Sequence, residues 1–262
     1  MKVFNLTVFK VLFACLVVLC ACNRSESGQQ TNQLAPIRFA LAQMPLNLDP
    51  RYATDAASER VNRLIYQSLV DFDANSNPVP ELATWLMVSP VEYHFSLKQP
   101  LARFHHHKPL TAMDVKATYD SVLALKDSPQ TSEYSNISSI LVKNDSELIF
   151  RLKQPDMNFA SKLLMGILPE DYLQKRHDFA HKPVGSGPLA FESWQNKLVL
   201  KRTEDAQQII FTEVKDPTVR VLKLLRGETD LLQGDLPPEL VRYLQGKPEI
   251  TVKTVAGANF SY

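Results

Sequence analysis

Every cysteine of this chain lies within its first 22 residues, at Cys15, Cys20 and Cys22. Everything that follows must fold without a disulfide, a thiolate metal site or a cysteine nucleophile. Burial of apolar surface has to hold it together. At 262 residues, 45% hydrophobic and 22% charged, the chain has material for one or two globular domains. That balance excludes a disordered chain and a multi-span membrane protein. A formal net charge of +1 argues against a general nucleic-acid binder, which needs a basic surface to displace counterions. Eight glycines are about half the usual share of roughly 7%, which leaves little room for Gly-rich phosphate loops.

The cysteines sit in a segment with an export pattern. Lys2 and Lys10 are the only charged side chains before Arg24, and Val11 to Ala21 is unbroken and apolar. That is too short to span a bilayer comfortably and reads as the core of a signal peptide over residues 1–21. Its end, Leu19-Cys20-Ala21-Cys22, resembles the bacterial lipobox, with Cys22 as the lipidated residue; Cys20 departs from the usual Ala, Ser, Thr or Val. A plain cleaved signal and an uncleaved anchor are the competing readings. Losing residues 1–21 removes Lys2 and Lys10, leaving 27 of the 29 basic residues against 28 acidic ones. The polar, aperiodic stretch to Pro36 makes residues 22–36 a flexible tether.

Beyond the tether, patterning predicts a mixed α/β domain. Strands are expected over Ile37–Gln43, Val91–Lys98, Gln208–Val214 and Glu249–Val255, and hairpins over Ile137–Lys153 and Leu189–Arg202. Val61, Leu64, Ile65 and Leu69 fall at helical spacing. Thr111, three before Asp114, reads as the N-cap of a helix of about four turns. Asp216-Pro217 opens a helix that Gly227 is placed to end, and a short helix over Pro237–Gln245 stops at Gly246.

Signals for catalysis are weak. His177 and His181 are four apart, as in a zinc hydrolase helix, but the adjacent carboxylate is Asp178 and Pro183 follows closely. Two exposed histidines in a connector are the plainer reading. His105-His106-His107 lacks an obvious carboxylate shell. Gly185-Ser186-Gly187 fails the nucleophile-elbow pattern and lacks a P-loop lysine; it reads as a tight turn needing positive φ. The pairs Asp71/Asp73 and Asp230/Asp235 read as solvated. No metal or cofactor is expected, and the residues favour binding over catalysis.

Several short motifs occur in a set order: Leu48-Asp49-Pro50, then 64–70 (Leu-Ile-Tyr-Gln-Ser-Leu-Val), 80–85 (Pro-Glu-Leu-Ala-Thr-Trp), 93–97 (Tyr-His-Phe-Ser-Leu), Phe104-His105, 108–115 (Lys-Pro-Leu-Thr-Ala-Met-Asp-Val), 183–188 (Pro-Val-Gly-Ser-Gly-Pro) and 227–230 (Gly-Glu-Thr-Asp). Each is weak alone, but together they resemble the family 5 extracellular solute-binding proteins, the peptide and nickel class that serves ABC importers. The resemblance covers about Ile37 to Tyr262.

The resemblance implies a periplasmic-binding-protein-like type II fold. Residues 37–54 and 166–262 would form an incomplete first lobe, and 55–165 a smaller inserted α/β domain. The chain would stop before the family's closing lobe. The positions matching first-lobe ligand contacts are Thr54, Asp55, Ala56, Gln233, Gly234 and Asp235. The implied role is capture of a small peptide or related solute in a cleft between lobes, as a monomer held by lipid on the periplasmic side, for delivery to an ABC permease. Departures fall at His106-His107, at Leu189 and over 202–207, and they leave the solute open. The rival functions are a zinc hydrolase using His177 and His181, and a regulatory or structural lipoprotein that kept the fold.

Overall fold

β1 (Ile37–Leu41) lies between two parallel partners, β10 (Gln208–Glu213) and β11 (Leu231–Leu232). The structure, a computed structural model, describes residues 34–234 and 236–254. The expected signal peptide, Cys22, most of the tether, Asp235 and the last residues from Val255 therefore lie outside the described residues. The antiparallel hairpin of β8 (Leu189–Trp194) and β9 (Leu198–Arg202) extends the sheet beyond β10, giving the order β11-β1-β10-β9-β8. Both parallel and antiparallel pairs occur, so the sheet is mixed.

Alternation along these strands turns Phe39, Leu41, Leu198, Leu200 and Phe211 into one buried cluster. Helix α1 (Ala56–Ile65) lays Val61 and Ile65 into it, and Tyr66, Leu168 and Phe179 complete it. The Phe39 and Phe211 rings, opposite each other in register, lie 5.2 Å apart.

A second core lies in the intervening chain. β4 (Ala83–Ser89), β5 (Glu92–Leu97), β6 (Ile137–Asn144) and β7 (Glu147–Leu152) form an antiparallel sheet of order β4-β5-β7-β6. Helix α2 (Ala112–Ala124) packs Val115, Tyr119 and Val122 into it. Tyr119 meets Phe150 edge-on at 5.5 Å, and Phe150 meets Phe95 at 5.3 Å. Asp114 accepts from the N–H and hydroxyl of Thr111 at 2.8 and 2.9 Å and from the N–H of Glu170 at 2.8 Å. It thereby ties the start of α2 to α4 (Glu170–Gln174). Between these elements lie the ribbon of β2 (Val70–Phe72) and β3 (Pro78–Pro80), the short helix α3 (Thr131–Tyr134) and a 3-10 turn over Phe159–Lys162.

The buried clusters divide the chain at about residues 66–69 and 167–168. Helix α1, expected at the start of the insert, packs instead on the first sheet, because its apolar stripe at Val61 and Ile65 faces β1 and its neighbours.

Helix α5 (Pro217–Leu225) starts as the sequence implies, with the Asp216 carboxylate accepting from the N–H of Val219 at 2.9 Å; Gly227 follows at φ 66°. Helix α6 (Pro238–Gln245) runs to Gly246. Two expectations need correction. Residues 249–254 form no strand: the N–H of Ile250 turns back to the Lys247 carbonyl at 3.1 Å, and alternation alone supplies no neighbouring edge. Gly185 and Gly187 also lack positive φ. They are glycines because their backbone runs against α1, where a Cβ at Gly185 would stand 2.1 Å from the Ile65 carbonyl oxygen.

Candidate functional site

The loop after β1 is held by its own polar groups. Asp49 is buried and pairs with Arg51 at 2.6 Å, while the Tyr66 hydroxyl donates to the Leu48 carbonyl at 3.1 Å. Leu48-Asp49-Pro50 is therefore an architectural corner. Asp55 caps α1: its carboxylate accepts from the N–H of Ser58 at 2.8 Å and from the Ser58 hydroxyl. The Ser58 oxygen accepts in turn from the N–H groups of Leu46 and Asn47 at 2.9 and 3.0 Å. Burial works against ionisation of Asp55, but the hydrogen bonds from Ser58 outweigh it and hold the carboxyl below its ordinary range. Its side chain is thus committed to the cap, whereas Thr54 and Ala56 are exposed.

The second segment arrives by way of β11. Asp230 accepts from the backbone N–H of Arg38 at 2.7 Å and from its guanidinium at 2.9 and 2.7 Å. Thr229 donates to the Arg38 carbonyl at 3.0 Å. These contacts fix the strand that delivers Gln233 and Gly234 to the carboxyl end of the parallel strands. In open sheets with parallel strands, this end is where ligands bind. Gly234 takes φ 68° and lies against α1, where a Cβ would stand 3.7 Å from the Arg60 guanidinium nitrogens. The structure therefore brings the Gly234 turn against the Arg60 side chain, which leaves α1 one helical turn after Ala56. Arg60 is exposed and, among the described residues, has no hydrogen-bond or ion-pair partner. Sequence reasoning missed it, since nothing local marks a surface arginine as neighbour to a distant glycine.

A cavity of about 470 Å³ lies against another face of α1. Glu59, Asn62 and Arg63 of the helix and Tyr66 just after it line it, facing residues of the β2–β3 ribbon, of α3 and of the Phe159–Lys162 turn. None of Thr54, Asp55, Ala56, Gln233 or Gly234 lines it. Glu81 accepts from the N–H and hydroxyl of Ser68 at 2.9 and 2.6 Å. Burial nonetheless pushes its carboxyl above the ordinary range.

The histidines do other work. Residues 177–181 are not helical, so spacing four does not put His177 and His181 on one face. The His177 ring bonds the Lys182 carbonyl at 2.6 Å, and His181 is exposed beside Asp178 at 3.0 Å. Among the described residues no group of three His, Cys, Asp or Glu could hold a metal ion. The zinc-hydrolase geometry is thus not formed. The His105 ring contacts the Gly187 carbonyl at 3.0 Å, and the His105 N–H donates to the Gly185 carbonyl at 2.8 Å, joining the two cores. His106 lies between the rings of Phe104 and Tyr172 at 5.5 and 5.0 Å. No metal shell forms around this run among the described residues.

Residues 77–262 match the family model described as bacterial extracellular solute-binding proteins, family 5 Middle. The chain belongs to this family. It is 28% identical over 218 residues to the oligopeptide-binding protein AppA of Bacillus subtilis, covering 75% of this chain and 40% of AppA. The solved structure of AppA in complex with a nonapeptide superposes with a TM-score of 0.72 at 26% identity, over 80% of this chain and 46% of that one. A stretch of 173 residues is 30% identical to the HTH-type transcriptional regulator SgrR of Pectobacterium atrosepticum, covering 63% of this chain and 30% of SgrR. The mixed α/β fold is thus that of the solute-binding proteins over part of their length, and the chain spans less than half the length of AppA and of SgrR. These relatives are named as binding proteins and a regulator, not as enzymes.

Proposed function

We propose that this solute-binding protein captures small peptides or related solutes for an ABC importer. In this reading residues 1–21 direct export, the tether 22–36 links the body to a lipid on Cys22, and the protein works as a monomer on the periplasmic side of the envelope. The first lobe comprises β1, α1 and about 168–262, and the insert about 69–167. Thr54, Asp55, Ala56, Gln233, Gly234 and Asp235 form this lobe's face of the cleft. The described residues supply this lobe and the insert; capture in a cleft needs in addition a second lobe that closes over the ligand and excludes water from both faces.

The observation that carries this reading is the approach of Gly234 to Arg60, which joins two segments far apart in sequence at one sheet end. Likeness to AppA, described with a bound nonapeptide, supports peptides as the solute class. In a strain lacking this gene, uptake of labelled oligopeptides should fall and be restored by the wild-type gene but not by a Gly234→Val variant. Unchanged uptake in the deletion strain would refute the transport role. Labelled palmitate should enter the wild type and not Cys22→Ser.

Likeness to SgrR favours a second reading, in which the same cleft senses a solute without transporting it. A deletion strain with normal uptake but altered transcription in response to the solute would support it.

A further inference from the structure

The two cores meet where the loop over Phe104–Lys108 lies on the turn that carries Gly185 and Gly187. Each side of this seam is held from behind. Phe104 is buried in the second core, and its N–H donates to the Lys108 carbonyl at 2.9 Å. Across the seam, the Gly187 N–H donates to the carbonyl of Ile65, the last residue of α1, and neither glycine has room to step back toward the helix. His105 stands between the two. Its N–H donates to the Gly185 carbonyl at 2.8 Å, its ring Nε2 faces the Gly187 carbonyl at 3.0 Å, and its Nδ1 faces the Gly185 N–H at 3.4 Å.

A ring nitrogen that faces a carbonyl has to donate, and one that faces an N–H has to accept. Together the contacts assign the neutral tautomer with its proton on Nε2. A second proton would go on Nδ1 and set one N–H against another, at a turn that cannot retreat because α1 is behind it.

The surroundings offer that proton little welcome. The turn itself, 183–188 (Pro-Val-Gly-Ser-Gly-Pro), has no titratable side chain, and Tyr66, just after α1, is the titratable group packed against Gly185. On its own loop His105 is followed by His106, with Lys108 and Asp171 beyond, paired with each other at 2.7 Å. Among the described residues no carboxylate contacts the His105 ring. Burial holds its imidazole below the ordinary range; the bond to Gly187 works against this, and His106 adds to it.

We propose that His105 is an acid-released latch between the two cores: when its ring takes a second proton it lets go of the Gly185–Gly187 turn, and the bond by which Gly187 closes α1 loosens with it. The proposal does not rest on the transport reading.

The sign follows from the lowered folded pKa. The latch's contribution is complete above the unfolded histidine pKa of about 6.5 and is lost as pH falls through the folded value. NMR on the full chain in detergent, with labelled histidine, should find the His105 proton on Nε2 at about pH 8. Between about pH 7.5 and pH 5, hydrogen-exchange protection at the amides of His105 and Gly187 should fall at least about fivefold relative to Phe150 in the second core. His105→Gln takes no proton in this range and should abolish that fall, whereas His106→Gln should keep it. Should His105→Gln not fold, the tautomer and the wild-type protection profile carry the test. A proton on Nδ1 at about pH 8, protection at Gly187 that stays level in acid, or the same fall in His105→Gln would overturn the proposal.

Discussion

Gly187 donates its backbone N–H to the carbonyl of Ile65 at 2.8 Å, so the last turn of α1 is closed by a residue from the far side of the insert. A Cβ at Gly187 would stand 2.6 Å from the Leu64 carbonyl oxygen. Backbone meets backbone there, and no side chain can swing away. Gly185→Ala and Gly187→Ala should each cost about 1–3 kcal/mol or more in urea unfolding. Gly246→Ala meets nothing nearer than 3.5 Å and should change stability by less than about 0.5 kcal/mol. Equal stability of all three variants would contradict the close-approach account.

Asp55→Ala removes the cap of α1 and should cost about 0.5–2 kcal/mol at neutral pH. Because the folded carboxyl titrates below its unfolded range, its contribution is present above the unfolded pKa and is lost as pH falls through the folded one. The gap between variant and wild type should therefore close in acid. Hydrogen exchange at Leu46 and Asn47 should quicken in the variant, since the Ser58 oxygen they donate to loses its anchor.

Glu81 should show the opposite dependence. Its folded carboxyl titrates above the unfolded value, so its contribution is most favourable below the unfolded pKa and is lost as pH rises through the folded one. Glu81→Gln should stabilise the protein at about pH 7, with the advantage gone near pH 4, around the ordinary glutamate pKa. Parallel melting curves across that range would refute this.

Asp230 and Arg38 form an unequal pair. Arg38→Ala removes only an exposed ion pair, while Asp230→Ala also strands the Arg38 backbone N–H. Asp230→Ala should lower Tm more than Arg38→Ala. High salt should shrink the Arg38→Ala effect and leave much of the other in place.

What was legible in the sequence was local. Asp216-Pro217 and the Thr111–Asp114 pair each carry their instructions within four residues, and those helices start where expected, as the hairpin over Ile137–Lys153 also forms. The β2–β3 ribbon was hidden because Pro78 and Pro80 speak against a strand, and only the short pairing with Val70–Phe72 makes room for them. The role of Gly185 and Gly187 was misread because the atoms they avoid belong to a helix more than a hundred residues upstream. Spacing four misled at His177 and His181 because it describes one face only where the backbone is helical. Asn62 sits between Val61 and Ile65 with no local sign that its amide would go unpaired. The two halves of the candidate site were each visible, but not Arg60, which stands between them.

β1 leaves the ribosome before every other strand of the described residues, yet its partners in the sheet are β10 and β11, and Arg38 meets Asp230 across 192 residues. Closing so long a loop carries a high entropic cost until much else is ordered, whereas the core between residues 69 and 167 is nearly self-contained. The insert is therefore the natural first unit to fold, and it shortens the loop that the outer sheet must close. The strand synthesised earliest among those described is seated only after its partners, so the first sheet stays open to wrong partners until residues 208–232 have been made.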